Sequence, residues 1–135
     1  MNKGFTLVEV LVAVVILSIG ILAVSQMTVM GLKTTAVINQ RLYARTTMAR
    51  VFEDLNARPP IDSLLTNDGD NGDLADDSVG DFQQTISDSL AKVSYQTLWN
   101  VADNTPEVGL KTVRIFVRWG AGDKYKISTD LIIRM

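Results

Sequence analysis

The feature that most constrains this chain is an apolar run at residues 5–24, FTLVEVLVAVVILSIGILAV, whose only charged residue is Glu9. An α-helix of about 20 apolar residues spans the hydrocarbon core of a bilayer, which is roughly 30 Å thick. The run therefore predicts a helix that crosses a membrane or lies inside an assembly. Glu9 needs a separate explanation, because an ionisable side chain at membrane depth costs about 3 kcal/mol and usually has a function.

Two ordinary explanations account for the length of the run. In a secretory signal, Lys3 would form the basic start, residues 10–24 the apolar region and residues 23–25 the small residues before the cut. Cleavage there would leave a soluble exported binding module that begins near Gln26. A plain single-span anchor also has this length. Neither explanation gives a reason for Glu9.

A third explanation rests on a short leader followed by a defined set of residues. They are Lys3, Gly4, Phe5, Thr6, Leu7, Val8 and Glu9. A basic leader that ends in glycine, followed by FTLVE and an unbroken apolar helix, resembles the amino terminus of type IV pilins and pseudopilins. The resemblance implies that a prepilin peptidase on the cytoplasmic side cleaves between Gly4 and Phe5. It also implies that the new amino group of Phe5 is methylated.

The same resemblance implies a role for Glu9 in assembly. In the family, subunits leave the inner membrane and enter a filament whose core is a bundle of these helices. The Glu9 carboxylate would then pair with the methylated amine of Phe5 on a neighbouring subunit. Such a pair offsets the desolvation of both charges and sets the axial register between helices. The implied partners are major and minor pilins and the inner-membrane assembly platform.

The resemblance also implies a location. Before assembly the chain would cross the inner membrane once with its amino terminus in the cytoplasm, and afterwards it would lie in an extracellular pilus. Lys3 in the short leader fits this orientation, although Lys33 on the far side weakens the charge asymmetry.

Helical periodicity continues beyond the apolar run. Apolar residues recur at steps of three, four or seven, at Val37, Ala44, Met48, Val51, Phe52 and Leu55. The prolines at 59 and 60 end the pattern. We therefore expect a leader at residues 1–4 and one helix over residues 5–58, with 5–26 in the membrane or filament core and 27–58 packed on a soluble domain. Four arginines, Arg41, Arg45, Arg50 and Arg58, are expected to form a solvated face or to contact neighbouring subunits.

Residues 59–90 are expected to form an acidic connecting loop. Eight aspartates and no lysine or arginine lie between residues 62 and 88. Some pseudopilins bind calcium, and Asp68, Asp70 and Asp73 raise that possibility here. Their spacing fails the EF-hand pattern, because the fifth position from Asp68 is a glycine. The sequence thus favours a solvated loop without a metal. Phe82, Ile86 and Leu90, at steps of four, hint at a short helix.

Residues 91–135 contain three runs in which apolar and polar residues alternate. The apolar positions are Val93, Tyr95, Thr97, Trp99 and Val101, then Val113, Ile115, Val117 and Trp119, then Tyr125, Ile127, Thr129, Leu131 and Ile133. This pattern predicts an antiparallel meander with one buried face, which residues 27–58 of the helix would cover. The polar positions, including Ser94, Gln96 and Asn100, are expected to face solvent. The fold class is α+β and pilin-like, with both tryptophans in the core.

Composition excludes several functions. The chain has neither cysteine nor histidine, and no nucleophile–base pair, metal-ligand motif or phosphate-binding loop is present, so we expect neither an enzyme nor a cofactor. Basic residues are scattered, which does not favour nucleic acid. The missing disulfide departs from many major pilins, and VRIFVRW followed by a final strand resembles minor pilins of the PilV type. The expected function is that of a minor type IV pilin. The alternative is a pseudopilin of a type II secretion or DNA-uptake system.

Overall fold

A computed structural model describes residues 6–88 and 93–135. One long helix, α1 (Leu7–Asn56), precedes two short 3₁₀ turns, Ser63–Leu65 and Gly72–Ala75. Four strands follow: β1 (Phe82–Asp88), β2 (Val93–Asp103), β3 (Leu110–Trp119) and β4 (Tyr125–Arg134). The expected α+β, pilin-like architecture is confirmed. The chain divides into two compact units, residues 1–40 and 41–135, which are described separately.

In the first unit, α1 presents an apolar surface on all sides. Every large apolar side chain from Leu7 to Leu32 is at least 52% exposed. The most apolar 18-residue window of α1 has a mean hydropathy of 2.9, so by length and composition this helix can cross a membrane. Hydroxyl groups here donate to carbonyls four residues earlier, as Ser18 does to Val14 and Ser25 to Ile21. Such bonds satisfy the few polar side chains in apolar surroundings.

In the second unit, an antiparallel sheet has the strand order β1-β2-β3-β4. Two core clusters form where the carboxyl-terminal part of α1 packs on one face of this sheet. The first contains Val51, Leu55, Leu65, Trp99, Val101, Val113, Ile115 and Leu131, and the second contains Ala44, Met48, Tyr95, Val117 and Trp119. The tryptophans are 5% and 2% exposed, which confirms that both lie in the core.

The end of α1 lies close to the predicted position. The helix ends at Asn56, and the amide of Arg58 donates to the Leu55 carbonyl only three residues back. The next residue, Pro59, has no amide to donate and cannot extend the helix. The three predicted strands correspond to β2, β3 and β4.

The hint of a helix at Phe82 and Ile86 is wrong. These residues belong to β1, which pairs with β2 so that Phe82 lies opposite Trp99. The two rings stack with centroids 5.6 Å apart. A step of four also fits a strand, because residues 82, 84 and 86 share one face of a sheet. Leu90, the third residue of that pattern, lies outside the described residues.

The second face of the sheet is buried along part of β2, which corrects the expectation that only one face is buried. Other polar positions on this face, such as Ser94, Ser128 and Asp130, are exposed as expected. Leu98, Asn100 and Ala102, which lie on the face opposite α1, are fully buried. Residues 67–81, NDGDNGDLADDSVGD, which we call the acidic segment, cover them. Gly80 approaches so closely that a Cβ atom there would lie 3.0 Å from Cβ of Leu98. A side chain at position 80 would therefore push the segment off the sheet.

Asn100 attaches the acidic segment to the sheet. Its Nδ2 donates to the carbonyls of Asp73 and Asp76 at 2.6 and 2.9 Å, and its Oδ1 accepts from the Asp81 amide at 3.2 Å. The Asp81 carboxylate in turn accepts from the Val101 amide at 2.7 Å. Residues 73–81 are therefore attached to β2, which corrects the expectation of a fully solvated loop, although Ala75, Asp76, Ser78 and Val79 are exposed.

Candidate functional site

Glu9 lies in a capping box at the amino terminus of α1. The backbone amide and the hydroxyl of Thr6 both donate to Glu9 Oε2, at 3.1 and 3.2 Å. The amide of Glu9 donates to the Thr6 hydroxyl at 3.3 Å. Two of the free amides at the helix start are thereby satisfied by reciprocal side-chain bonds. Glu9 therefore has a partner within its own subunit.

Thr6 caps the start of α1, a role that was not predicted for it. The signal was present, because Thr-x-x-Glu before an apolar run is the pattern of a capping box. Glu9 is therefore both a charge in an apolar run and the acidic partner of this capping box.

The second carboxylate oxygen of Glu9 takes no part in the capping box. No donor within residues 6–88 and 93–135 contacts Oε1 of this residue. The side chains of Leu7, Val8 and Val10 around it are 53–76% exposed. A cation from another chain can therefore reach Glu9 without breaking the capping box. The expected cleavage and methylation site, Gly4 and Phe5, lies outside the described residues.

A second candidate site is a cluster of three carboxylates on the acidic segment. Oxygens of Asp68, Asp73 and Asp81 lie within 4.8 Å of one another. Oδ1 of Asp73 and Oδ1 of Asp81 are buried and have no hydrogen-bond partner among the described residues. Asp70 is not part of this cluster, and its Oδ1 accepts from the Gly72 amide at 2.7 Å. The structure thus brings together only two of the three aspartates that the sequence singled out.

The cluster is electrostatically unfavourable when all three groups are ionised. Burial raises the pKa of the Asp73 carboxyl above its ordinary value, and the nearby carboxylates of Asp81, Asp68 and Asp70 raise it further. Burial also raises the pKa of Asp81, with Asp68 and Asp70 adding to it. Converging carboxylate oxygens are the ligand type that calcium prefers, so these residues are the ones that could hold a hard cation.

The four arginines at residues 41–58, three of them on α1 and Arg58 just after it, do not act as one group. Arg58 binds Asp54 through two nitrogens, with its closest contact at 2.9 Å, and also reaches Asp62 at 3.3 Å. Arg41, Arg45 and Arg50 are exposed and have no acceptor among the described residues. Arg41, Arg45 and Arg50 are therefore solvated as expected, whereas Arg58 forms ion pairs.

Comparison with known proteins identifies the amino terminus. Residues 1–25 match the family model described as the prokaryotic N-terminal methylation motif. No curated protein and no solved structure matches the chain significantly. The matched residues contain the capping box and the start of the exposed apolar helix, and the helix leads into a four-stranded antiparallel sheet. The chain thus carries the type IV pilin signature of N-terminal methylation at its amino terminus, ahead of a pilin-like α+β fold.

Proposed function

We propose that this chain is a minor type IV pilin, a structural subunit that enters a pilus through its apolar helix. The match of residues 1–25 to the methylation motif carries the proposal. In it, prepilin peptidase removes residues 1–4 and methylates the amino group of Phe5. The subunit crosses the inner membrane once, with its amino terminus in the cytoplasm, and the assembly platform then moves it into the filament beside other pilins.

The exposed surface of α1 supports this proposal. Apolar side chains cover all sides of the helix from Leu7 to Leu32, and such a surface is not stable in water. Lipid covers it in the membrane, and helices of neighbouring subunits would cover it in a filament. Because lipid is as apolar as a partner helix, the choice between them depends on packing and on polar contacts such as that of Glu9.

The proposal of a minor subunit rests on narrower observations. The chain has no cysteine, so it lacks the disulfide of many major pilins. A pseudopilin is the second candidate. The carboxylate cluster of Asp68, Asp73 and Asp81 favours it, since some pseudopilins bind calcium.

Mass spectrometry of the mature chain from native membranes tests the proposal. A methylated amino terminus at Phe5 is the expected result. Substitution of Gly4 by aspartate serves as the control and should leave the leader in place. A chain that begins at Gln26 would instead support an ordinary exported module, and a wild-type chain that keeps Met1 to Gly4 would contradict prepilin processing.

The finer assignment needs a second measurement. Pili sheared from native cells should contain this chain at a low ratio to the major pilin, as judged by quantitative peptide mapping. Its absence from pili, with copurification of secretion-system subunits, would favour the pseudopilin.

A further inference from the structure

Strand β1 forms an open edge of the sheet. It pairs with β2 on one side, and no described residue pairs with its other side. Natural edge strands usually carry charges or proline that block further pairing. The opposite edge strand, β4, has Lys126, Asp130 and Arg134, whereas residues 82–87 contain no charge and no proline. The backbone edge of β1 is therefore available to another strand.

A groove of about 520 Å³ lies beside this edge, between α1 and β1. Apolar side chains line part of it, namely Val51, Leu64, Ile86 and Trp99. Gln84 and Ile86 pair with Thr97 and Tyr95, whose side chains face α1, so the groove lies on the same side of β1. A strand added to β1 would send alternate side chains into this groove.

One charged side chain on the rim of the groove has no ionic partner among the described residues. Asp54 has both carboxylate oxygens bound by Arg58, at 2.9 and 3.3 Å. Arg50, which also lines the groove, is exposed and has no acceptor among the described residues. The groove therefore offers one unpaired guanidinium beside an apolar floor. It matches an extended segment with apolar side chains and one carboxylate.

We propose that β1 and this groove bind an extended, acidic segment of a different subunit, which adds to the sheet as a fifth strand. The inference rests on the proposed filament function, because that function brings subunits into permanent contact. A second copy of this chain is a poorer partner. Its own open edges are β4, whose carboxylate Asp130 is already bound by Arg114 at 2.6 Å, and β1, whose one charged residue, Asp88, is its last.

Site-specific photo-crosslinking in the native cell tests this inference. The full-length chain carries p-benzoylphenylalanine in place of Gln84 on β1, or in place of Ser128 on the other edge strand, β4, as the control. Both residues are exposed on edge strands. After irradiation of assembled filaments, we expect an adduct from position 84 only, and its mapped peptide should be an extended segment of another subunit with an aspartate or glutamate.

A charge variant makes the test specific. Arg50→Glu should lower the adduct yield at position 84 about tenfold, because it replaces an attraction with a repulsion, and Arg50→Lys should keep most of it. Arg50 is exposed on a helix, so neither change should alter the thermal midpoint.

Equal yields from positions 84 and 128, an adduct only with a second copy, or no effect of Arg50→Glu would overturn the inference. So would filaments that contain the subunit without any adduct. Immunodetection of the chain in those filaments checks the proposed function separately. If the chain is absent from the filaments, both the proposed function and this inference are contradicted.

Discussion

At the scale of single residues, Glu9 has a local role that is visible within one subunit. Its Oε2 accepts both donors of Thr6, which keeps the first turn of α1 intact, while Oε1 stays free of contacts from the described residues. A carboxylate in apolar surroundings is costly unless donors surround it. The capping box thus lowers the cost of this charge in apolar surroundings, and it leaves Oε1 for the intermolecular pair that we propose.

Variants can separate the capping role of Glu9 from its proposed role in filament assembly. Glu9→Val should leave membrane insertion and cleavage intact and strongly reduce incorporation into filaments, because no carboxylate remains to meet the amine of Phe5. Thr6→Val should weaken the cap by about 1 kcal/mol and reduce incorporation less, while Thr6→Ser should behave as wild type. The measurement is the ratio of subunit in sheared filaments to subunit in membranes. Normal incorporation of the Glu9→Val variant into filaments would contradict an assembly role for this residue.

Thr97 is a buried polar residue with an unused hydroxyl. It is fully buried between Tyr95 and Trp99 on the face toward α1, and its Oγ1 has no hydrogen-bond partner among the described residues. An unpaired buried hydroxyl costs about 1–3 kcal/mol, and valine has nearly the same shape. We therefore expect Thr97→Val to raise the thermal midpoint by about 4 °C. Thr97→Ser, which keeps the hydroxyl and removes a methyl group, should lower it. A lower midpoint for the valine variant would show that the hydroxyl has a partner.

Asp73 should make the folded chain less stable as the pH rises. Its pKa is raised above the ordinary value by burial and by neighbouring carboxylates. The folded state therefore holds a proton that the unfolded state has already released, and stability falls as the pH rises through the folded pKa. Asp73→Asn should raise the thermal midpoint at pH 7 by about 2–4 °C and leave it nearly unchanged at pH 3. An equal shift at both pH values would contradict the electrostatic cause.

Calorimetry with calcium tests whether the cluster of Asp68, Asp73 and Asp81 binds a metal, with Asp73→Asn as the comparison. Asparagine at position 73 removes one charge from the cluster but keeps an oxygen. If the cluster binds calcium, the wild-type chain releases or absorbs heat, and Asp73→Asn weakens that binding markedly. If no heat is measured, the acidic segment covers the sheet without binding a metal. The absence of a metal would agree with the prediction from the sequence.

At the scale of elements, sequence patterns predicted α1 and the strands β2, β3 and β4, because each follows one simple period of apolar residues. They did not predict β1 or the cover on the second face of the sheet. β1 is nearly uncharged and mostly exposed, so it has no strong alternation. The cover depends on Asn100, and an asparagine at a polar position of a strand looks the same in sequence whether it meets water or a loop.

Asn100 is the residue whose loss should detach the acidic segment. Asn100→Ala removes three hydrogen bonds and leaves the carbonyls of Asp73 and Asp76 without those partners. We expect a loss of about 2–4 kcal/mol in the free energy of unfolding and faster hydrogen exchange at residues 73–81. Asn67→Ala is the control, because its side chain bonds only within the exposed part of the segment. Similar effects of the two variants would show that Asn100 is not the attachment point.

At the scale of the whole molecule, the first nine residues and the strand pattern were enough to predict a pilin-like chain. The sequence could not separate a minor pilin from a pseudopilin, since both share the same amino terminus and the same helix-and-sheet plan. What distinguishes them lies in surface contacts with other subunits, such as the edge of β1, and one sequence does not encode the identity of a partner.

The apolar surface of α1 makes a prediction about where the unassembled chain resides. From Leu7 to Leu32 the large apolar side chains are exposed, so the chain should stay in membranes washed with alkaline carbonate and leave them only with detergent. The double variant Val15→Arg with Leu22→Arg places two charges in the span at a cost of roughly 6 kcal/mol, and it should be released or fail to insert. Thr46→Arg with Ala49→Arg adds the same two charges to the exposed side of α1 in the second unit, and that chain should remain in the membrane. Retention of both double variants, or release of the wild-type chain, would mean that the apolar part of α1 is not what holds the chain in the bilayer.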